Sequence, residues 1–273
     1  MITGIVAFAL FLPLLIFSHT YAGALMAQIF GVLSVYELLR TTGLLKKWFV
    51  GIPMFLLGAG LPLLIYFPQT RGEFYRYFAI GFFLAALIIL TIAVFSKGAI
   101  KIDDCAIFFV MCFYAMISFD AIYLLRFEQN GVFLFLMPFG VSWFTDIFAY
   151  FSGRLFGRHK LIPDVSPKKT VEGAIGGFVC AVGLTMLYGL IVDLCTAVRP
   201  NYLLLLLAGA LMSLVSMAGD LIASLVKRHY GVKDYGFILP GHGGVLDRCD
   251  SVLASAALLI ILHDLPLGFQ LFR

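Results

Sequence analysis

Residues 202 to 223 read YLLLLLAGALMSLVSMAGDLIA, and this stretch determines the class of fold. It matches the length of about 20 apolar residues that a helix needs to cross a bilayer, and its only charged residue, Asp220, lies near its end. The apolar run is continuous rather than alternating, which favours a helix over a strand of a membrane barrel. The stretch therefore predicts a transmembrane helix.

Similar apolar runs recur along the whole chain of 273 residues, which is 62% hydrophobic and 12% charged. Soluble domains are about half apolar and about one quarter charged, so this composition excludes a water-soluble globule. We expect nine spans, or eight if the first two merge, and therefore an all-α polytopic integral membrane protein. Their approximate limits are 2 to 17, 20 to 39, 48 to 67, 74 to 95, 105 to 125, 131 to 152, 172 to 194, 202 to 223 and 251 to 269.

Basic residues are distributed unevenly between the two sides of the membrane. The loops after the second, fourth, sixth and eighth spans hold 14 of the 19 Lys and Arg residues. Because cytoplasmic loops retain Lys and Arg, these loops are predicted to be cytoplasmic. With nine spans the N-terminus lies inside and the C-terminus outside. The five cysteines form no CxxC pair, so neither a zinc site nor a disulfide framework is expected.

Residues 1–130 are predicted to be a generic membrane region of about five helices. Two acids lie within its predicted spans. Glu37 precedes Arg40 by three residues, a spacing that allows an ion pair on one helix, and Asp120 has Arg126 beyond it. Structural roles are expected for both acids.

Residues 131–273 are predicted to be the catalytic region, with about four helices and two functional cytoplasmic loops. Its first polar segment begins at Asp146, which shares one helix face with Tyr150, Gly153 and Gly157. An acid within a span is costly unless it faces a polar cavity, a cation or a base on another helix. Asp146 is therefore a candidate functional residue.

The second segment, SPKKTVEGAIGG at 166–177, combines a helix start with two cations. Ser166 followed by proline fits a helix N-cap and first turn. A helix N-terminus that also presents Lys168 and Lys169 suits an anionic group. Gly173 and Gly177 form a GxxxG face, which predicts close packing of two helices.

The third segment, residues 220–251, carries most of the polar chemistry. Asp220, Ser224, Lys227 and Arg228 share one helix face that runs from the membrane to the cytoplasm. The glycine turn at 240–244 resembles a phosphate-binding turn, and Asp247 and Asp250 follow it on one side of the next helix. Three carboxylates and several cations around such a turn fit phosphoryl or nucleotidyl transfer with Mg²⁺.

Two motifs extend this interpretation to a family. SLVKR at 224–228, KD at 233–234 and LPGHGGVLDRCD at 239–250 resemble the signature of the phosphatidate cytidylyltransferases, also called CDP-diacylglycerol synthases. SPKKTVEG at 166–173 is similar to an upstream motif of the same family. The resemblance covers the last half of the chain, whereas the first 130 residues match only as hydrophobic spans. It implies the conversion of CTP and phosphatidic acid to CDP-diacylglycerol and pyrophosphate, dependent on Mg²⁺ and open to a second cation.

The resemblance also implies roles for single residues. The predicted metal ligands are Asp220, Asp247 and Asp250, with Asp146 as a further candidate, and these first three together with Lys227 are the predicted catalytic residues. Lys168 and Lys169 are expected to bind the phosphatidate headgroup. Lys227, Arg228, Lys233 and Arg248 are expected to hold the triphosphate. The remaining predicted substrate-binding residues are Thr170, Ser224, His242, Gly243 and Gly244.

Two other functions remain open at this point. A CTP-dependent lipid kinase of the polyprenol or dolichol type would use a related site but transfer the γ-phosphate. An ion-coupled transporter would place its polar residues near the midplane rather than at one face. The expected partners are CTP, phosphatidic acid and the lipid bilayer, with a homo-oligomer as an option and no nucleic acid. The expected location is a bacterial-type inner membrane, with the active site facing the cytoplasm.

Overall fold

The computed structural model describes residue 13 and residues 16–237, 243–265 and 269–273. Helices dominate these residues, together with a short 3-10 helix at Leu45–Lys47 and one two-stranded sheet, β1 Lys160–Ile162 and β2 Ser166–Thr170. The helices are α1 Tyr21–Thr41, α2 Trp48–Tyr66, α3 Pro68–Arg71, α4 Phe74–Phe95, α5 Ile102–Phe127, α6 Gly131–Phe156, α7 Val171–Cys195, α8 Tyr202–His229 and α9 Leu246–Asp264.

Seven helices in the described part of the chain are long and apolar enough to cross a membrane. They correspond to the second to eighth predicted spans, so the prediction of an all-α polytopic membrane protein is confirmed. The first predicted span lies mostly outside the described residues. The ninth corresponds to α9, which is not among the seven and carries Asp247, Arg248 and Asp250 at its start.

The chain folds as two compact units, which we call the N-terminal and the C-terminal unit. The N-terminal unit comprises residues 1–123 and 230–248. Within it α1 packs against α2, and α2 packs against α4. A row of phenylalanines on α4 forms part of its core, where the rings of Phe78 and Phe82 stack with their centroids 4.5 Å apart.

The C-terminal unit comprises residues 124–229 and 249–273. Helix α6 packs against α7 and α8, and α7 packs against α8. The predicted close approach at the GxxxG face is confirmed. A Cβ atom added at Gly173 would lie 2.7 Å from the carbonyl oxygen of Ala149, and one added at Gly177 would lie 2.6 Å from that of Thr145. The glycines therefore allow the backbones of α6 and α7 to approach closely.

The predicted helix start at Ser166 is wrong. Residues Ser166–Thr170 form strand β2, which pairs antiparallel with β1, and Thr170 is the N-cap of α7. Its Oγ1 accepts a hydrogen bond of 3.1 Å from the backbone N–H of Gly173. The physical reason is not local, because Ser166 and Pro167 also fit a helix start, whereas the pairing of β2 with β1 moves the start to Thr170, which is itself a good N-cap.

Candidate active site

The C-terminal unit contains a cavity of about 350 Å³ that is lined by α6, α7, α8 and the hairpin formed by β1 and β2. It combines apolar walls with two acids and three cations. Its lining side chains include Asp146, Tyr150, Arg154, Leu161, Lys168, Lys169, Thr170, Met217 and Asp220. A cavity with charged groups beside apolar walls suits a ligand with an anionic head and a hydrocarbon body.

The carboxylate of Asp220 is held by a lysine of the hairpin. The Nζ of Lys169 lies 2.6 Å from Oδ2 of Asp220, and about a quarter of each side chain is exposed. The hydroxyl of Ser224, one helical turn further along α8, donates to Oδ1 at 3.3 Å. A lysine ammonium sits on a flexible stem, so this ion pair can open when a phosphate offers a competing partner.

Two further acids surround the same region of the C-terminal unit. Ser251 donates a hydrogen bond of 3.0 Å from its hydroxyl to Asp146 and one of 2.9 Å from its backbone N–H to Asp250. Burial raises the pKa of the Asp250 carboxyl, the Asp220 carboxylate raises it further, and the Lys227 ammonium opposes the rise. The three carboxylates therefore repel one another, and additional positive charge would stabilise them.

The donor atoms of these acids can be compared with the ligands that a divalent cation prefers. Within the described residues, no group of three or more His, Cys, Asp or Glu side chains is placed to hold a metal ion. Carboxylate oxygens are nevertheless the ligands that Mg²⁺ prefers, and Mg²⁺ usually binds through one or two carboxylates, waters and substrate phosphates. The carboxylate oxygens of Asp146, Asp220 and Asp250 therefore fit a hard divalent cation.

Hydrogen bonds fix the base of the hairpin that carries Lys168 and Lys169, the two lysines predicted to bind the headgroup. The Glu172 carboxylate accepts hydrogen bonds from the backbone N–H groups of Arg158 and His159, at 3.1 and 3.2 Å. The Nζ of Lys160 donates to the carbonyl oxygen of Pro167 at 2.7 Å. These contacts join both ends of the loop, so the hairpin presents Lys168 and Lys169 from a fixed base.

The N-terminal unit contains the end of the predicted glycine turn. Oδ2 of Asp247 accepts hydrogen bonds from the backbone N–H groups of Tyr235, at 2.8 Å, and Gly244, at 3.0 Å. Gly243 has a φ of +81°, a left-handed conformation that favours glycine. The Asp247 carboxylate is therefore fixed by backbone donors and joins Tyr235 to the residues that begin α9.

A second cavity, of about 530 Å³, lies in the N-terminal unit. Lys233, which was predicted to bind the triphosphate, lines it together with Arg40 of α1. The guanidinium carbon of Arg40 lies 3.6 Å from the centroid of the Phe237 ring, a cation–π geometry. The cavity therefore presents two cations to a ligand from water.

The predicted site residues fall into three groups. Those that line the cavity of the C-terminal unit are Asp146, Lys168, Lys169, Thr170 and Asp220. In the same unit Ser224 contacts Asp220, Asp250 accepts a hydrogen bond from the backbone N–H of Ser251, Lys227 is buried, and Arg228 is exposed. In the N-terminal unit lie Lys233, Gly243, Gly244, Asp247 and the exposed Arg248. His242 lies outside the described residues, and the roles of all these residues stay predictions.

Sequence reasoning missed residues in both units. Arg154 follows Asp146 by eight residues, and this helical spacing was a signal that could have identified it as a cavity residue. Glu37, whose spacing from Arg40 allows an ion pair, has further partners that were not predicted, since its carboxylate accepts hydrogen bonds from the backbone N–H groups of Val245 and Leu246. No local sequence pattern predicts a contact between residues that are 208 positions apart.

Comparison with known proteins agrees with this geometry. A model of the cytidylyltransferase family matches residues 1–265, including the first 130 residues, which we expected to match only as hydrophobic spans. The chain is 37% identical to phosphatidate cytidylyltransferases of Staphylococcus epidermidis and Staphylococcus haemolyticus, and 38% identical to that of Staphylococcus aureus. Each match covers 96% of both chains. The predicted family is confirmed, and the chain belongs to the cytidylyltransferase family.

Proposed function

We propose that this protein transfers the cytidylyl group of CTP to phosphatidic acid, which yields CDP-diacylglycerol and pyrophosphate. The observation that carries the proposal is the cavity of the C-terminal unit, where Lys168 and Lys169 lie beside Asp146 and Asp220. The names of the relatives give the same reaction. A membrane protein with apolar walls around such a charged group is suited to a phospholipid headgroup.

The two substrates differ in where they can travel. Phosphatidic acid keeps its acyl chains in the bilayer, whereas CTP arrives from water, so the two meet at an interface. The distribution of Lys and Arg supports the cytoplasmic face as that interface. We place the protein in a bacterial-type inner membrane with its N-terminus inside, and its C-terminus outside if nine helices span the bilayer. A homo-oligomer is compatible with this arrangement.

In the proposed reaction, a phosphate oxygen of phosphatidic acid attacks the α-phosphorus of CTP in line. The bond between that phosphorus and the oxygen bridging to the β-phosphate breaks, and pyrophosphate leaves with the electron pair. The attacking oxygen is already anionic at neutral pH, so the step requires neither a strong general base nor a covalent enzyme intermediate. Lys168 and Lys169 neutralise the lipid phosphate and hold it in position.

The ion pair between Lys169 and Asp220 indicates the order in which the lipid phosphate and the cation bind. When the lipid phosphate enters, it competes with Asp220 for the Lys169 ammonium, because an ammonium exchanges readily between anionic partners. Asp220 then gains capacity to accept a cation. Arg154, which lines the same cavity, adds a further cation from α6.

From the sequence motif we propose that Lys227, Arg228, Lys233 and Arg248 hold the triphosphate. The charge of Lys227 acts on Asp250 in the C-terminal unit. Thr170, Ser224, His242, Gly243 and Gly244 complete the proposed substrate-binding residues. The family's chemistry requires such cations, because negative charge spreads over the phosphate oxygens in the transition state.

Asp220 and Asp250 are the proposed holders of Mg²⁺ in the C-terminal unit, with Asp146 as a further candidate and room for a second cation. The metal role of Asp247 stays a prediction from the sequence. When bound, Mg²⁺ neutralises phosphate oxygens and orients the leaving group. The carboxylates themselves provide hard oxygen ligands at the cavity.

The test uses detergent-purified protein, phosphatidic acid, Mg²⁺ and CTP labelled at either the α- or the γ-phosphate. Incorporation of the α-label into lipid, with release of pyrophosphate, is the expected result. Incorporation of the γ-label would identify a lipid kinase instead. Absence of both labels from lipid would overturn the proposal and return attention to an ion-coupled transporter.

A further inference from the structure

Glu37 is a buried acid that neither the sequence motifs nor the proposed reaction uses. It lies near the C-terminal end of α1 with no exposed surface. Its Oε1 accepts a hydrogen bond of 2.7 Å from the backbone N–H of Val245, and its Oε2 accepts one of 3.0 Å from that of Leu246. Both oxygens of the carboxylate therefore accept hydrogen bonds from consecutive residues at the start of α9.

The start of α9 requires such a partner. The first N–H groups of a helix have no acceptor within the helix, and a side-chain oxygen at the N-cap normally supplies one. Here Val245 occupies the N-cap position, immediately before Leu246, and its side chain has no acceptor. Glu37 supplies the missing acceptors from a distant helix, and its negative charge also suits the positive end of the helix dipole.

Two glycines make room for this carboxylate. A Cβ atom added at Gly244 would lie 2.5 Å from Oε1 of Glu37, and one added at Gly236 would lie 2.7 Å from the same atom. Any larger residue would displace the carboxylate, or the backbone around it. The Glu37 carboxylate therefore fits between the two glycines and accepts hydrogen bonds at the start of α9, all within the N-terminal unit.

We propose that Glu37 is a positioning residue for the turn that carries Asp247. The Asp247 carboxylate accepts a hydrogen bond from Gly244, so Asp247 and Glu37 hold the backbone N–H groups of three consecutive residues, 244 to 246. Glu37 sets the direction of the first turn of α9, and with it the position of the acid at residue 247. The consequence for catalysis rests on the function proposed above.

The experiment compares Glu37→Gln and Glu37→Ala with the parent protein. Glutamine has the same shape, but its amide NH₂ faces an N–H donor, so one of the two hydrogen bonds is lost. We expect kcat to fall on the order of tenfold for Glu37→Gln and further for Glu37→Ala, with KM for phosphatidic acid little changed. A residue that merely filled space would leave Glu37→Gln equal to the parent.

Amide hydrogen exchange provides a readout that does not depend on activity. Peptides that contain residues 244–246 should exchange on the order of tenfold faster in both variants, because their N–H groups lose a buried acceptor. Asp120→Asn is the matched control, since Asp120 is a buried acid of the same unit on α5 with 2% exposure. It should leave exchange at residues 244–246 unchanged.

The outcomes separate the two proposals. If the parent protein transfers no α-label to lipid, the proposed function fails, while faster exchange at residues 244–246 still supports the positioning role of Glu37. If the parent is active and Glu37→Gln keeps both the parent kcat and the parent exchange rates, the positioning role is overturned. Faster exchange with an unchanged kcat would reduce Glu37 to a structural cap and contradict its link to catalysis.

Discussion

Asp220 and Asp247 both belong to the third polar segment, residues 220–251, yet the structure holds them in opposite ways. Asp220 faces a lysine ammonium 2.6 Å away, whereas Asp247 accepts hydrogen bonds from the backbone N–H groups of Tyr235 and Gly244. An ammonium on a flexible stem can exchange its partner, but backbone donors cannot move without the turn itself. The comparison suggests one acid that responds to ligands and one that is fixed in advance.

The largest effect should come from the fixed acid. Asp247→Asn keeps an acceptor for the backbone but loses the anionic oxygen that is predicted to bind Mg²⁺. We expect kcat to fall by about a thousandfold, because a bound cation that neutralises phosphate charge contributes several kcal/mol. Turnover of α-labelled CTP in detergent measures it. Asp264→Asn, at the exposed opposite end of α9, is the control and should keep full activity. Activity of Asp247→Asn within tenfold of the parent would refute its proposed role.

The exchangeable pair should respond differently. Lys168→Ala should raise KM for phosphatidic acid by about tenfold with little change in kcat, since a hydrogen bond to a charged group contributes about 1.5 to 3 kcal/mol. Lys169→Ala should raise the same KM and also lower kcat, because it leaves Asp220 without its ion pair. Steady-state kinetics at varied lipid fraction separates the two parameters, with the exposed Lys101→Ala as control. An unchanged KM in both variants would argue against headgroup binding.

The rigidity of the turn can be tested at its glycine. Gly243→Ala forces a side chain into a left-handed conformation and should destabilise the fold by about 1 to 2 kcal/mol. The added Cβ would also lie 3.1 Å from Oδ2 of Asp247. The unfolding temperature in detergent should fall by a few degrees. Gly183→Ala, in the middle of α7 with no atom within 4 Å of its added Cβ, is the control and should show no such fall.

The smallest effect on stability is expected at Tyr230, which anchors the segment that precedes Tyr235 and Gly243. The Tyr230 hydroxyl donates a hydrogen bond of 2.9 Å to Asp104, and Tyr230→Phe should cost about 1 kcal/mol of unfolding free energy. Burial raises the pKa of the Tyr230 hydroxyl well above its ordinary range, and the hydrogen bond to Asp104 adds to the rise. Tyr36→Phe, at an exposed tyrosine of α1, is the control.

The pH dependence of this last effect has a definite sign. A hydroxyl whose pKa is raised in the folded state contributes its full stability below the unfolded pKa of about 10 and loses it above. The stability difference between the parent and Tyr230→Phe should therefore stay constant from about pH 7 to 9 and shrink only at higher pH. A difference that already falls between pH 7 and 8 would contradict the assignment of Tyr230 as the donor.

The spans could be predicted from the sequence because each one depends on a local property. The continuous apolar run at 74–95 gave the limits of α4 without error, and the run at 202–223 gave the start of α8. The hairpin was missed, because Ser166 and Pro167 also fit a helix start and strand pairing with Lys160 and Ile162 is not local. Charged residues extended α6 and α8 beyond the predicted apolar limits.

The site was predictable in its composition but not in its contacts. Asp146, Lys168, Lys169 and Asp220 were identified as residue types near one face, and one cavity brings them together. The pairing of Lys169 rather than Lys168 with Asp220 depends on the direction of each side chain on β2, which the sequence does not state. Helical spacing offered only Arg40 as a partner for Glu37, because its hydrogen-bond donors Val245 and Leu246 lie 208 and 209 residues away.

The contact between Glu37 and α9 also has a consequence for biogenesis. Glu37 enters the membrane with α1, but Val245 is synthesised 208 residues later, which at about 5 to 20 residues per second is a delay on the order of 10 to 40 s. Until then Glu37 lacks its final hydrogen-bond donors. The contact can form only after the start of α9 has been synthesised, which makes it a late step in the assembly of the N-terminal unit.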